Sequence, residues 1–380
     1  MTKVSTFFQI FKQEGLEFFT GIPDSLLKDF CAYVSDHVTS ENHIISANEG
    51  ASVGLAIGNY LATGKIPLVY MQNSGLGNAI NPLLSLADTQ IYAIPMILLV
   101  GWRGEPQTQD EPQHIKQGKV TTDLLIAMDI PYEIIIGDEL ADSISLKKAI
   151  SYARENYRPC ALLVKKSSFQ YLKKSKVEKS LEKKLSLSRE EAIKKTVKSL
   201  SQKDIVVSTT GMTSRELFEF RESNGQNHKQ DFLTVGGMGH ASQIALGLAL
   251  QKPDSNVYCF DGDGSSLMHL GSYAIIGQSD CKNYKHILIN NGVHGSVGGQ
   301  PTVGFDVDFV QIAKNCGYKS YQRCSDKNSL EKALSQMSRV SGPCFLEIIV
   351  NKKYRKNLIR PSKTTLEMKK EFMSFLEKLK

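Results

Sequence analysis

Phe260-Asp261-Gly262-Asp263-Gly264-Ser265-Ser266 closes one short apolar run, Val257–Phe260, and opens a helical pattern. Glycines at such a turn let the backbone approach a phosphate, and the start of a helix presents unpaired N–H groups to it. A carboxylate in the same turn repels phosphate unless a cation lies between them. Asp263 therefore points to Mg²⁺, a hard ion that takes oxygen ligands. About 25 residues on, the next run, His286–Ile289, ends in Asn290-Asn291-Gly292, whose amide oxygens can complete such a shell. Asp-Gly pairs alone are ordinary turn residues. An Asp at one strand end and paired Asn at the next strand end, at this spacing, is a much narrower signal.

Working outward, β-branched and apolar runs occur at His43–Ser46, Leu68–Met71, Pro95–Val100, Tyr132–Ile136 and Cys160–Val164. They recur at Ile205–Thr209, Phe232–Val235, Val257–Phe260, His286–Ile289 and Cys344–Val350. Most are too continuous in apolarity for half-exposed antiparallel strands and read as strands of buried parallel sheets. Helical patterns such as Ala51–Ala62, Ala241–Leu250 and Ser329–Met337 lie between them. The expected fold is α/β, with two doubly wound parallel-sheet domains. The halves also echo each other: Ala51-Ser52 and Ala241-Ser242 are 190 positions apart, as are Ile97-Leu98-Leu99 and Ile287-Leu288-Ile289. Leu68-Val69-Tyr70 leads into Asn73-Ser74-Gly75 where Val257-Tyr258 leads into Asp261-Gly262-Asp263-Gly264. One unit used twice is the implication, and ligands of open α/β sheets sit at strand carboxyl ends. The boundaries expected are 1–165, a linker over 166–190, a second domain over 191–352 and a tail over 353–380.

Composition bounds the function. The chain has 380 residues, 41% hydrophobic and 22% charged, which is globular material with ample length for a core. No apolar run reaches the roughly 18–20 residues of a membrane-spanning helix. The opening stretch, MTKVSTFFQIFKQEG, carries charges inside its apolar pattern, so a secretory signal is not expected. Seven cysteines without CxxC or metal-type spacing fit reduced thiols in a cytoplasm. The net charge of +7 is uneven: residues 165–198 hold twelve Lys/Arg against four Glu, and 352–380 hold ten against three. The rest of the chain is acidic, so the basic segments read as solvated connecting or helical pieces. Neither interleaves the aromatics of a single-strand-binding groove. Neither nucleic acid nor membrane is an expected partner.

The Gly-Asp-Gly and Asn-Asn pair resembles the thiamine diphosphate signature of thiamine-dependent decarboxylases. The resemblance implies Asp263, Asn291 and the Val293 carbonyl as Mg²⁺ ligands. It also implies two homologous domains, one for the cofactor's pyrimidine and one for its diphosphate. In Ile44-Ile45-Ser46-Ala47-Asn48-Glu49-Gly50, Glu49 stands where the family places its catalytic Glu. There the carboxyl bonds a pyrimidine ring nitrogen, and the cofactor's own imine then takes the thiazolium proton to give an electron sink. Gly236-Gly237-Met238-Gly239-His240 resembles the segment whose apolar residue props the two rings together. It nominates Met238, with the Gly236 carbonyl accepting from the exocyclic amine. Further cofactor contacts implied are Ser74, Gly211, Met212, Gly262, Gly264, Ser265, His294 and Gly295. Residue by residue, Glu49 also reads as an exposed acid in a helix's first turn, and Met238 as core.

The short two-domain chain resembles, within that family, the phosphonopyruvate and sulfopyruvate decarboxylases. The likeness rests on the segments 19–28, 103–106, 110–118 and 290–300, and spans roughly residues 5–350. It implies non-oxidative decarboxylation of 3-phosphonopyruvate to phosphonoacetaldehyde and CO₂. Sulfopyruvate decarboxylation and carboligation are the alternatives. It also implies a small anionic 2-oxo acid as substrate and a homodimer or larger assembly, the pyrimidine domain of one chain facing the diphosphate domain of another. Asp24 and His114 align with an acid and a histidine that relay protons. Asp24 also reads as an N-cap ahead of Ser25–Phe30, and His114 as a solvated loop histidine. Arg103, Lys116 and Lys119 are the cations expected at the substrate's anionic groups, or simply a solvated charged loop.

Overall fold

Residues 1–171, 185–355 and 357–379 are described by the computed structural model of this chain. In the strand Leu68–Gln72, Leu68 and Tyr70 enter one hydrophobic cluster while Val69 and Met71 enter another. The strand Ile97–Gly101 divides Ile97 and Leu99 from Leu98 and Val100 in the same way. Both faces of the sheet are covered, which is why the apolar runs are continuous rather than alternating.

Backbone contacts divide the chain into two compact units, Met1–Glu178 with Val297–Gln300, and Lys179–Ser296 with Pro301–Lys380. Unit 1 contains β1 (Thr2–Lys3), β2 (Phe19–Gly21), β3 (His43–Ile45), β4 (Leu68–Gln72), β5 (Ile97–Gly101), β6 (Tyr132–Ile135), β7 (Cys160–Val164) and β8 (Phe169–Gln170). Six of these form one sheet in the order β3-β2-β4-β5-β7-β6, all parallel. β1 and β8 pair separately, also in parallel. Unit 2 contains β9 (Ile205–Ser208), β10 (Asp231–Leu233), β11 (Val257–Gly262), β12 (Tyr284–Asn290), β13 (Ser320–Cys324) and β14 (Cys344–Ile349). Their order is β10-β9-β11-β12-β14-β13, again all parallel. Counted from the first strand of each six-stranded sheet, both read 2-1-3-4-6-5. The sequence echo is a repeated topology.

Helices begin where the side chains predict. Glu49–Thr63 has Asn48 as N-cap, its side chain accepting from Ala51 N, and ends at Gly64 in the left-handed region. Ala241–Gln251 is its counterpart in unit 2. Three expectations need correction. The helix expected over Ser25–Phe30 begins only at Lys28, with Leu27 as N-cap, so Asp24 does not cap it. Of the expected linker 166–190, residues 172–184 lie outside the described residues, and both flanks are folded: Phe169–Gln170 is β8, and Arg189 opens the helix Arg189–Ser199. That helix carries a Ser188–Glu191 capping box and buries Ala192, Ile193, Thr196 and Val197, a pattern hidden among its lysines. The tail is not simply solvated either. Its helix Thr365–Lys378 buries Phe372 with Phe232 of the edge strand β10, and Lys252 Nζ donates to the Leu376 and Leu379 carbonyls at 2.6 and 3.0 Å. No helix of the described residues is long and apolar enough to cross a membrane.

Candidate active site

In unit 1, chemistry-bearing side chains collect after β2, β3, β4 and β5, at strand carboxyl ends. Glu49 follows β3 and is 5% exposed, not a solvated first-turn acid. Its Oε2 accepts from Asn78 Nδ2 at 2.8 Å. A Cβ on residue 75 would lie 2.5 Å from Glu49 Cγ and Oε1, so Gly75 is what allows the carboxyl to lie against the turn after β4. Among the described residues, no lysine or arginine pairs with Glu49.

Asp24 follows β2 and is fully buried. Its Oδ1 accepts from Gln72 Nε2 at 2.6 Å, and its Oδ2 from the Leu26 amide at 2.8 Å. A side chain at Gly101, the last residue of β5, would overlap the Asp24 carboxyl. Burial pushes that carboxyl up, against the hydrogen bonds and the Arg103 charge. Ser74 is exposed and donates to Gln72 Oε1 at 2.8 Å.

Arg103 forks onto Asp110, Nε donating to Oδ2 at 2.8 Å and Nη2 to Oδ1, while Nη1 donates to Ser25 Oγ at 2.8 Å. Burial opposes the charge on Asp110, but the Arg103 fork and the amides of Glu111 and Gly104 hold its carboxyl well below the usual range. The expected forked donor is thus committed to a neighbouring carboxylate. His114 lies in the first turn of the helix Pro112–Ala127, buried rather than solvated, and its Nδ1 has no hydrogen-bond partner among the described residues. Burial, then the Arg103 charge, lowers its pKa. Lys116 and Lys119 are exposed on this helix, two and five positions from His114 and so on its outer side. The structure does not bring them to Asp24. Trp102, 8% exposed, donates from Nε1 to Gly118 O at 2.9 Å and so pins the Arg103 loop to the His114 helix.

Unit 2 presents a different set at the same strand ends. Asp261 accepts from Ser266 Oγ at 2.8 Å and lies 3.4 Å from His286 Nε2 of β12. The first carboxylate of the Gly-Asp-Gly turn is therefore engaged with the sheet. Asp263 begins the short helix Asp263–Met268, is 3% exposed and accepts from the Thr302 hydroxyl. Burial pushes its carboxyl up to about 6, with Thr302 pulling the other way. Asn290 turns towards β14, donating to Glu347 Oε1 at 2.8 Å and to Gly304 O at 2.6 Å. Asn291 faces the loop, where its Oδ1 accepts from Val293 N at 3.3 Å. The Val293 carbonyl accepts from Gly295 N at 2.9 Å.

Around them, Ser265 Oγ joins three strand ends, receiving Gly239 N at 3.1 Å and Thr209 Oγ1 at 3.0 Å. Gly211, at φ +94°, is the N-cap of the helix Met212–Ser223. Met212 Sδ accepts from Arg189 Nη2 at 3.2 Å, and Arg189 forks onto Glu216 at 2.8 Å for both bonds. Gly236 and Met238 are half-buried, so Met238 is not a core residue. His294 is pressed against Gly264, where a Cβ would come within 2.9 Å of its ring, and burial lowers its pKa to about 4. Gly295 borders Arg189. A Cβ on residue 304 would lie 2.7 Å from Asp263 Oδ2, so Gly304 keeps open the space around that carboxylate. A buried carboxylate whose partners among the described residues are a hydroxyl and backbone N–H groups keeps oxygen lone pairs that suit a hard divalent cation.

Sequence reasoning missed Gln72, Gly75 and Asn78 in unit 1, and Arg189, Thr209, Thr302 and Gly304 in unit 2. Polar residues at or just past the ends of apolar runs would have flagged Gln72 and Thr209. Thr302 and Gly304 reach Asp263 from 39 and 41 positions away, and nothing local announces them.

The profile described as "Thiamine pyrophosphate enzyme, N-terminal TPP binding domain" matches residues 1–124, and that of the C-terminal TPP binding domain matches 209–348. Phosphonopyruvate decarboxylase of Streptomyces viridochromogenes is 32% identical over 380 positions, covering 95% of this chain and 92% of the relative. Sulfopyruvate decarboxylase of Methanosarcina acetivorans is 29% identical over 362 positions, covering 90% and 89%. Sulfopyruvate decarboxylase subunit beta of Methanocaldococcus jannaschii is 42% identical over 130 positions, covering 34% of this chain and 66% of that subunit.

Proposed function

This chain belongs to the thiamine pyrophosphate-dependent decarboxylases, and from that membership we propose that it decarboxylates 3-phosphonopyruvate to phosphonoacetaldehyde and CO₂ with Mg²⁺ as second cofactor. The observation that carries the reading is the end-to-end likeness to a phosphonopyruvate decarboxylase, 32% identity over 95% of the chain. Thiamine diphosphate, when bound, supplies the sink for the electron pair left as CO₂ departs.

In this reading, the Glu49 carboxyl, held by Asn78, would share a proton with a pyrimidine ring nitrogen of the cofactor. Met238 and the Gly236 carbonyl would support the rings; Ser74 in unit 1, and Gly211, Met212, Gly262, Gly264, Ser265, His294 and Gly295 in unit 2, are the further cofactor contacts of the reading. Asp263, Asn291 and the Val293 carbonyl would hold Mg²⁺, which would offset the charge of the diphosphate. Asp24 and His114 exchange a proton at the carbon that loses CO₂, both being buried away from bulk water. Arg103 lies beside Asp24 and adds a positive field for an anionic substrate, its donors already directed at Asp110 and Ser25. Lys116 and Lys119 draw the dianion from outside through charge alone. An assembly of two or more chains is part of the reading, since a related sulfopyruvate decarboxylase is built from subunits.

The test is product identification by mass spectrometry after incubation with phosphonopyruvate, Mg²⁺ and thiamine diphosphate. Phosphonoacetaldehyde is the expected product. Turnover of sulfopyruvate with none of phosphonopyruvate would overturn the substrate assignment and favour the second reading, which the likeness to the Methanosarcina enzyme supports.

A further inference from the structure

Gln72 is the last residue of β4 and carries no charge, yet it touches Asp24, a buried carboxylate at this end of the unit 1 sheet. Its amide turns the NH₂ group towards Asp24, donating to Oδ1 at 2.6 Å, the arrangement that suits the ionised carboxylate. The hydroxyl of Ser74 supplies the donor that the amide oxygen then needs, 2.8 Å away. Leu26 N fills the other carboxylate oxygen, and Gly101 leaves the room in which the carboxyl lies. The charged and titratable groups facing Asp24 are Arg103, from the loop after β5, and the Cys31 thiol, from the helix Lys28–His37. Burial keeps that thiol protonated, and Arg103 is directed at Asp110 and Ser25. Among the described residues, the side-chain donor in contact with Asp24 is therefore Gln72.

We propose that Gln72, clamped by Ser74, is a positioning residue that fixes the direction and the proton affinity of Asp24. The inference rests on the reading of Asp24 as a proton-exchanging group. Two opposed influences meet at Asp24: burial favours the neutral acid, and donated hydrogen bonds favour the anion. Removing the Gln72 donor leaves burial less opposed, so Asp24 binds its proton more tightly. Whichever protonation state the reaction needs, the pH limb governed by Asp24 then moves to higher pH.

The test compares wild type with Gln72→Met, which keeps length and removes the donor, and with Ser74→Ala, which removes the clamp and serves where Gln72→Met does not fold. The Asp24 carboxyl is titrated directly by ¹³C NMR of aspartate-labelled protein, assigned with Asp24→Asn and recorded without substrate. The pH profile of kcat/KM is then measured for phosphonopyruvate. Gln72→Met is expected to raise the Asp24 midpoint by roughly one to two pH units, the worth of one hydrogen bond to a charged group. The matching limb of the profile moves with it, and Ser74→Ala shifts both less and in the same direction. An unmoved midpoint in a folded variant overturns the proposal, whatever the substrate proves to be. A midpoint that moves in a protein that decarboxylates no 2-oxo acid supports the Gln72–Asp24 coupling and overturns the functional reading instead.

Discussion

After equivalent strands, the two sheets deliver unlike side chains. The first strand of each is followed by Asp24 in unit 1 and Thr209 in unit 2; the second by Glu49 and by the Met238 segment. The third leads through Gln72 to Ser74 in one unit and to Asp263 and Ser265 in the other, and the fourth leads to Arg103 against Asn290, its last residue, and Asn291. One strand order thus fixes four addresses and leaves the chemistry to the loops. Unit 1 places buried acids and a histidine there, groups suited to holding and moving protons. Unit 2 places hydroxyls, amides and one buried carboxylate, groups suited to a metal and a phosphate.

That division of labour breaks or sharpens through substitution. Glu49→Gln keeps size and the Asn78 contact region but removes the acid; activity should fall by roughly 10²–10⁴ while circular dichroism and cofactor binding by calorimetry persist. A loss under tenfold would end the assignment of proton chemistry to unit 1. Asp263→Asn should do the opposite, weakening Mg²⁺ affinity in titration calorimetry by more than the roughly 10–100-fold that outer-shell changes cost. Chelation of wild type should imitate it, and restored Mg²⁺ should reverse only the chelation.

Stability changes should respect the same boundary. Phe372→Ala empties the contact under the C-terminal helix and should cost unit 2 about 3 kcal/mol, read as a lowered melting temperature with hydrogen exchange raised in β10. Gly75→Ala forces a methyl against Glu49 and should cost about 1–3 kcal/mol in unit 1, with activity falling in step. The smallest effect belongs to His43, which contacts Tyr70 at 2.8 Å and whose pKa burial lowers to about 4 from an ordinary value of about 6.5. Its neutral form is the folded one, so the contribution is complete above about pH 6.5 and is lost as pH falls towards 4. Thermal melts of His43→Asn between pH 7 and 4 should decline less steeply than those of wild type.

Sheets and helices were largely legible because buried parallel strands are apolar on both faces. Four strands were not: β1 and β8 span two residues each, Phe19–Gly21 spans three, and Ser320–Cys324 is an edge strand whose exposed side is polar. Of the candidate site, the residues legible in sequence were those with a chemical signature, Glu49, Asp263 and Asn291. Gln72 and Thr302 act through partners 48 and 39 positions away, and a glutamine or threonine carries no mark of that. Arg189 lay concealed in a charge run whose structural partner, Glu216, belongs to another helix.

Trp102 is the sole tryptophan of the chain, and its indole joins the Arg103 loop to the helix that carries His114. The molecule consequently contains its own fluorophore at the seam where an acid, a guanidinium and an imidazole are set. Emission excited at the indole band reports on that seam alone among tryptophan environments, with no label and no added mutation. Stopped-flow mixing with substrate analogues can therefore follow the loop in real time.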